Sequence, residues 1–230
     1  MKTLPANEKE LAKYFDHTYL KADATDKEMK KLCDEARAMG SAMVAINTAW
    51  VIPCKQWLEG TDVHVGAAIS FPLGQSGLQS KLFECERAIQ DGSDEIDYVI
   101  HIGKAKMHDW AYIEDEMRQM TALCHQYNVP CKVIFENCYL TKDEIKTLSE
   151  IAKKVRPDYI KTSTGFGPTS ATVEDVALMK SVVGDDVKVK AAGGIRDWKT
   201  CRAMIEAGAS RIGTSASLTI LEQFKEEANQ

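Results

Sequence analysis

The chain has 230 residues, 44 % of them hydrophobic, and its 29 lysines and arginines against 34 aspartates and glutamates leave a formal net charge of −5. That length carries one sizeable core and suits an α/β barrel as a single domain over residues 1–230. The acidic balance and dispersed lysines exclude a nucleic-acid footprint, and no run approaches the roughly 18 apolar residues of a membrane span, so an anionic ligand needs a local site. The first residues lack a signal-peptide pattern, and seven scattered cysteines contain no Cys-x-x-Cys. The expectation is a soluble, cytoplasmic protein with reduced thiols, of which Cys138, close after a strand end, is a candidate near a site.

In chain order, residues 7–13 predict a short opening helix that leads into 14–20. Thr25-Asp26-Lys27-Glu28 has the capping-box form, Met29, Leu32, Cys33, Ala36 and Met39 share one face, and Gly40 terminates the helix. Residues 42–46 form a strand, 49–58 a helix with Pro53 in its first turn, 63–70 a strand and 79–90 a helix. The alternation continues with a strand at 95–100, a helix at 109–127 and a strand at 131–136. A second capping box, Thr141 to Glu144, opens a helix to about residue 154. A short buried strand with Lys161 in its middle lies in 159–167, closed by its glycines, and strands at 187–192 and 211–213 follow, alternating with helices at 172–182, 197–207 and the C-terminal segment.

With 15–18 as a marginal first strand, eight strands are each followed by a helix. This predicts a closed parallel (β/α)8 TIM barrel with a short N-terminal helix. An open doubly wound sheet is the runner-up, but no Gly-x-Gly-x-x-Gly follows the first strand. In a barrel, functional groups gather at the carboxyl ends of strands, where Asp16, Asp97, Glu136, Lys161 and Lys190 fall. Alternation puts Glu95, Lys132 and Lys188 one layer deeper. Two arrangements are open there: they pair to hold the catalytic layer, or Lys188 escapes to solvent through a local irregularity.

A lone lysine at a strand end ordinarily snorkels to water. Lys161 and Lys190 lie on neighbouring strands, however, and can face each other. A free lysine has a pKa near about 10.4, which leaves well under about 0.1 % neutral amine at pH 7. Two ammoniums about 4 Å apart at an effective dielectric near about 20 repel by roughly 4 kcal/mol, and desolvation pushes the same way. That activates one lysine for Schiff-base formation. Asp97 is then the proton carrier, or else a buried ion-pair partner of the lysines. Gly193-Gly194 and the run from Gly213 to Ser217 follow the last two strands and offer amides, a hydroxyl and a helix N-terminus to a phosphate.

The motifs Asp16-His17-Thr18, Ile69-Ser70-Phe71-Pro72-Leu73-Gly74, Glu95-Ile96-Asp97, Lys132 to Glu136, Lys161-Thr162-Ser163-Thr164-Gly165-Phe166 and Lys190 to Arg196 stand in one order over nearly the whole chain. In this the sequence resembles the 2-deoxyribose-5-phosphate aldolase family. The resemblance implies a class I aldolase without metal or other cofactor, acting on a small phosphosugar and releasing acetaldehyde. It has neither nucleic-acid nor membrane partners and is open to homo-oligomer formation. It also implies that Lys161 forms the Schiff base, Lys190 tunes it, and Asp97 moves protons. Asp16, Thr18 and Gly165 would contact substrate, and Gly193, Gly194 and Ser215 the phosphate.

The chain departs from the family pattern at His101, Asn137, Pro168-Thr169-Ser170 and Ala216, and no tyrosine follows Tyr159. Many family members end in a tyrosine that assists proton transfer, so this chain is expected to proceed by water or more slowly. By alternation His101 shares the Asp97 face, as a titrating neighbour or a structural histidine. A Schiff-base aldolase with another donor or acceptor, and a phosphosugar-binding barrel without turnover, are the competing functional readings.

Overall fold

Helix starts written into the sequence appear as hydrogen bonds in the computed structural model, which describes residues 4–228. The Thr141 N–H donates to Glu144 at 2.7 Å while the Glu144 N–H donates back to Thr141 Oγ1 at 3.2 Å. The Thr25 N–H likewise donates to Glu28 at 3.0 Å, and Gly40, at φ 67°, ends that helix in the left-handed region open to glycine.

The strands are β1 (Phe15–Thr18), β2 (Met43–Asn47), β3 (His64–Ile69), β4 (Glu95–Val99), β5 (Cys131–Ile134), β6 (Tyr159–Lys161), β7 (Lys188–Ala192) and β8 (Ala209–Thr214). The helices are α1 (Glu8–Ala12), α2 (Asp26–Met39), α3 (Val51–Trp57), α4 (Leu78–Gln90), α5 (Ile102–Lys106), α6 (Trp110–Gln126), α7 (Lys142–Val155), α8 (Val173–Val183), α9 (Trp198–Glu206) and α10 (Ser217–Ala228). All strand pairs are parallel and β8 pairs with β1, which closes the barrel. The predicted (β/α)8 architecture is therefore present. Helix α5, capped by His101, was not anticipated, and β5 ends two residues early because Glu136 takes φ 59°. Strand β8 is longer than expected.

The apolar core lies between sheet and helices, not inside the barrel. Val44, Val65, Ile96, Val133, Ile160 and Ile212 face outward onto helix residues such as Met29, Met117, Leu148 and Met179. The alternate residues of the same strands face inward, and many are charged. At β7–β8 the register slips, so that Val189 pairs with Ala209 but Lys190 with Arg211. The extra residue, Ser210, is a bulge, a device that re-aims the next side chain. Arg211 is thereby turned inward, and Lys188 is exposed with its ammonium 5.4 Å over the Tyr159 ring. Of the two arrangements open for Lys188, escape is the one adopted.

One ion pair is sealed between sheet and helices. Lys81 on α4 and Glu116 on α6 are fully buried, 2.7 Å apart, and Lys81 also donates to the Val99 carbonyl at 2.7 Å. Glu116 accepts the His101 N–H at 2.9 Å, so the pair grips the carboxyl end of β4 just past Asp97. Removing one partner strands a buried charge. Lys81→Ala should lower the stability read by urea unfolding by about 3–5 kcal/mol, and the paired replacement Lys81→Met with Glu116→Leu by much less. A single-variant loss below about 1 kcal/mol would contradict this account of β4.

Candidate active site

Inward-facing residues of β1, β4, β5, β6, β7 and β8 converge on one buried ion layer. Lys132 contacts Glu95 at 2.5 Å and Asp97 at 2.7 Å. Lys190 contacts Asp97 at 2.6 Å and also pairs with Asp16. Arg211 reaches Asp16 through Nε at 2.6 Å and Glu95 at 3.3 Å. Among the described residues Lys161 pairs with Asp97 alone, at 2.8 Å, and it shares the same oxygen, Oδ2, with Lys190. Four cations thus face three carboxylates in this layer, and Lys161 is the least compensated. Beneath them Lys132 and Arg211 lie 5.9 Å from the Tyr159 ring, within reach of its π face.

The titration behaviour follows from this imbalance. Burial, the largest influence, pushes the Lys161 ammonium down, Asp97 pulls it back up, the like charge of Lys190 pushes down again, and the result is about 8. Burial alone would raise the Asp97 carboxyl, but Lys132, Lys161 and Lys190 outweigh it and hold Asp97 well below the carboxylate range. Lys132 behaves in the opposite sense to Lys161: burial lowers it, yet the attraction of Asp97 and Glu95 leaves it raised. Repulsion between lysines, the expected cause of activation, is real but smaller than desolvation.

Lys161 stands at the floor of a cavity of about 950 Å³ whose wall includes Thr18, Gly165, Gly193, Gly194, Ser215 and Arg196. A smaller cavity of about 400 Å³ beside the end of α3 lies away from the ion layer. Asp97 and Lys190 sit beneath Lys161 and do not line the large cavity. Asp16 stands apart from these residues. It is fully buried as the counter-ion of Lys190 and Arg211, and it holds no place on the cavity wall. Thr18 does line it, with its hydroxyl donated to the Asp16 carbonyl at 2.7 Å.

Gly193 and Gly194 take φ 90° and 74°, and a Cβ on Gly194 would come 2.3 Å from Ser170 Oγ, so this turn requires glycine. Past β8, the Ile220 N–H donates to the Ala216 carbonyl at 3.0 Å, which makes Ala216 the N-cap of α10. Alanine has no side-chain oxygen for the next N–H groups, and a helix start without such a cap suits an anion.

Glu136 does not join the ion layer. It turns to accept the Thr164 N–H at 3.2 Å and pairs with the Thr164 hydroxyl, bracing the loop after β6. His101 is structural: its Nδ1 accepts the Lys104 N–H at 3.3 Å and its ring meets Tyr112 edge to face. The Cys138 thiol, which burial pushes up, lies 3.7 Å from Glu136 and is not activated. Arg211 was missed from sequence, although an arginine within an otherwise apolar strand is as anomalous as Lys161. Glu35 was missed too, and His17 and Ser217 were marked only as members of separate motifs. They form a hydrogen-bonded set that no local pattern signals.

The chain matches the model of the DeoC/LacD family aldolases over residues 10–223. It is 58 % identical over 216 residues to the deoxyribose-phosphate aldolase of Lactobacillus acidophilus, covering 94 % of this chain and 91 % of that protein. It is 45 % identical to the deoxyribose-phosphate aldolase of Thermococcus kodakarensis over 96 % of this chain and all of that one. Among solved structures, the tetrameric deoxyribose phosphate aldolase of Aeropyrum pernix superposes with a TM-score of 0.88 at 28 % identity, covering 96 % of this chain and 93 % of that one.

The ion layer and burial leave the Lys161 ammonium with a pKa near 8. Its acylation by an amine-directed reagent, followed by peptide mapping, should rise about tenfold per pH below a limb near pH 8 and level off above it. Because Asp97 raises the Lys161 pKa, Asp97→Asn should move that limb to lower pH. A limb near the ordinary lysine value in the wild type would refute the assignment.

Proposed function

The chain belongs to the DeoC/LacD family of aldolases, and we propose that it is a class I aldolase that reversibly cleaves 2-deoxy-D-ribose 5-phosphate to D-glyceraldehyde 3-phosphate and acetaldehyde. The observation that carries this reading is the position of Lys161: on the cavity floor, with half a carboxylate oxygen for company and a pKa near 8. At pH 7 about a tenth of such a lysine is neutral amine, against well under about 0.1 % of a free one.

In this mechanism the Lys161 Nζ attacks the aldehyde carbon of the open-chain sugar, and the carbinolamine loses water to give a protonated imine. The C3 hydroxyl gives up its proton, the C2–C3 bond breaks, and its electron pair moves into the iminium to form an enamine as the three-carbon aldehyde leaves. Protonation at C2 and hydrolysis then release acetaldehyde and restore the amine. Asp97 is ionised, so it acts first as the proton acceptor, through water. Lys190, 2.6 Å from the same oxygen, supplies the returning proton.

The phosphate is read onto the turns at Gly193, Gly194 and Ser215 and the first N–H groups of α10, with Arg196 nearby. Thr18 and Gly165 line the sugar, while Asp16 contributes through Lys190. The competing reading of a barrel that binds phosphosugar without turnover finds no support in an amine so activated. A cytoplasmic setting accords with seven free cysteines, and no helix among the described residues is long and apolar enough to cross a membrane. An assembly of copies is part of the proposal, since one relative is described as tetrameric.

The reading is tested by borohydride reduction in the presence of acetaldehyde with peptide mass mapping. A two-carbon adduct on Lys161 that disappears in Lys161→Ala is the expected result. Asp97→Asn should lower retro-aldol kcat by about 100-fold or more. Folded protein with no adduct on any lysine would sink the assignment.

A further inference from the structure

Three residues outside the reaction chemistry are tied together across the barrel mouth. His17 on β1 is 3 % exposed, and both of its ring nitrogens are engaged. Nδ1 lies 3.0 Å from Ser217 Oγ, and Nε2 lies 2.9 Å from Glu35 Oε2 on α2. A carboxylate can only accept, so one neutral tautomer satisfies both bonds: Nε2–H donates to Glu35, and Nδ1 accepts from the Ser217 hydroxyl. Burial lowers the His17 pKa, with the Glu35 hydrogen bond opposing, so the ring is neutral at pH 7. Lys31, 3.7 Å from the other Glu35 oxygen, opposes a charge on His17 as well.

Ser217 is fully buried and is the first residue of α10. The N-cap before it is Ala216, although a serine, threonine or aspartate there would stabilise the helix by about 0.5–2 kcal/mol. Such a cap would occupy N–H groups of the first turn. Here the helix start is instead held from outside, through a hydroxyl committed to His17, while Leu218 and Thr219 border the cavity. We infer that Glu35, His17 and Ser217 form a positioning relay that fixes the first turn of α10 against β1 and α2 and so sets the preference for phosphorylated over unphosphorylated sugar. The inference rests on the aldolase reading and on its phosphate subsite.

The test compares 2-deoxyribose 5-phosphate with 2-deoxyribose. Ser217→Ala and His17→Gln should each raise KM for the phosphate about tenfold, with kcat within about twofold, and leave kcat/KM for 2-deoxyribose unchanged; tenfold corresponds to about 1.4 kcal/mol. His17→Asn, whose amide oxygen takes the place of Nδ1 and still accepts from Ser217, should keep KM within about threefold of wild type. Equal losses on both sugars, or an unchanged KM, would overturn the relay. If Ser217→Ala does not fold, Glu35→Gln at a partly exposed position carries the same expectation at about threefold. If the wild type turns over neither sugar, the aldolase reading itself has failed. Calorimetric binding of inorganic phosphate then decides the relay: a tenfold weaker Kd in Ser217→Ala supports it and an equal Kd overturns it.

Discussion

A single carboxylate oxygen, Asp97 Oδ2, accepts from two ammonium groups, and most of the site depends on that sharing. Lys132, Lys190 and Arg211 each touch two carboxylates, while Lys161 touches one. When four cations compete for three anions in a low-dielectric interior, the proton leaves the group with the weakest claim. Selectivity among chemically identical lysines is therefore set by the count and placement of partners, which the register of the strands determines.

Such a layer is costly. Charges buried without partners would be driven to neutrality, and even paired ones gain little over an apolar filling. The barrel can hold it because folding is driven elsewhere, by the continuous apolar shell between sheet and helices. The two faces of each strand have separate duties, outward for stability and inward for chemistry. The bulge at Ser210 shows the division locally: one extra residue leaves Ala209 and Ile212 in the shell and turns Arg211 into the ion layer.

Strand alternation, both capping boxes and the glycine turns were legible because each depends on residues close in sequence, and the adjacency of Lys161 and Lys190 followed from the alternation, which puts consecutive parallel strands side by side. What escaped detection depends on backbone irregularity or on distant pairing. Arg211 faces inward only through a bulge, and Glu136 leaves the inward face only because its φ turns positive. Asp16 could be placed on the right strand, but its pairing with Arg211 depends on the bulge that turns that arginine inward. His17 meets partners 18 and 200 residues away, a relation that no period or motif encodes.

The same geometry changes the account of Lys190. Repulsion alone would make it a simple destabiliser of the neighbouring charge. In the structure it acts on Lys161 in two ways: directly as a like charge, and indirectly by drawing on the Asp97 oxygen that would otherwise stabilise the Lys161 ammonium. Asp16 in turn seats Lys190 by pairing with it, and Arg211 holds Asp16 in the same way. Lys161 thus stands at the end of a chain of compensations running from β8 through β1 and β7 to β6. Desolvation sets the scale of its activation, and this chain determines which lysine receives it.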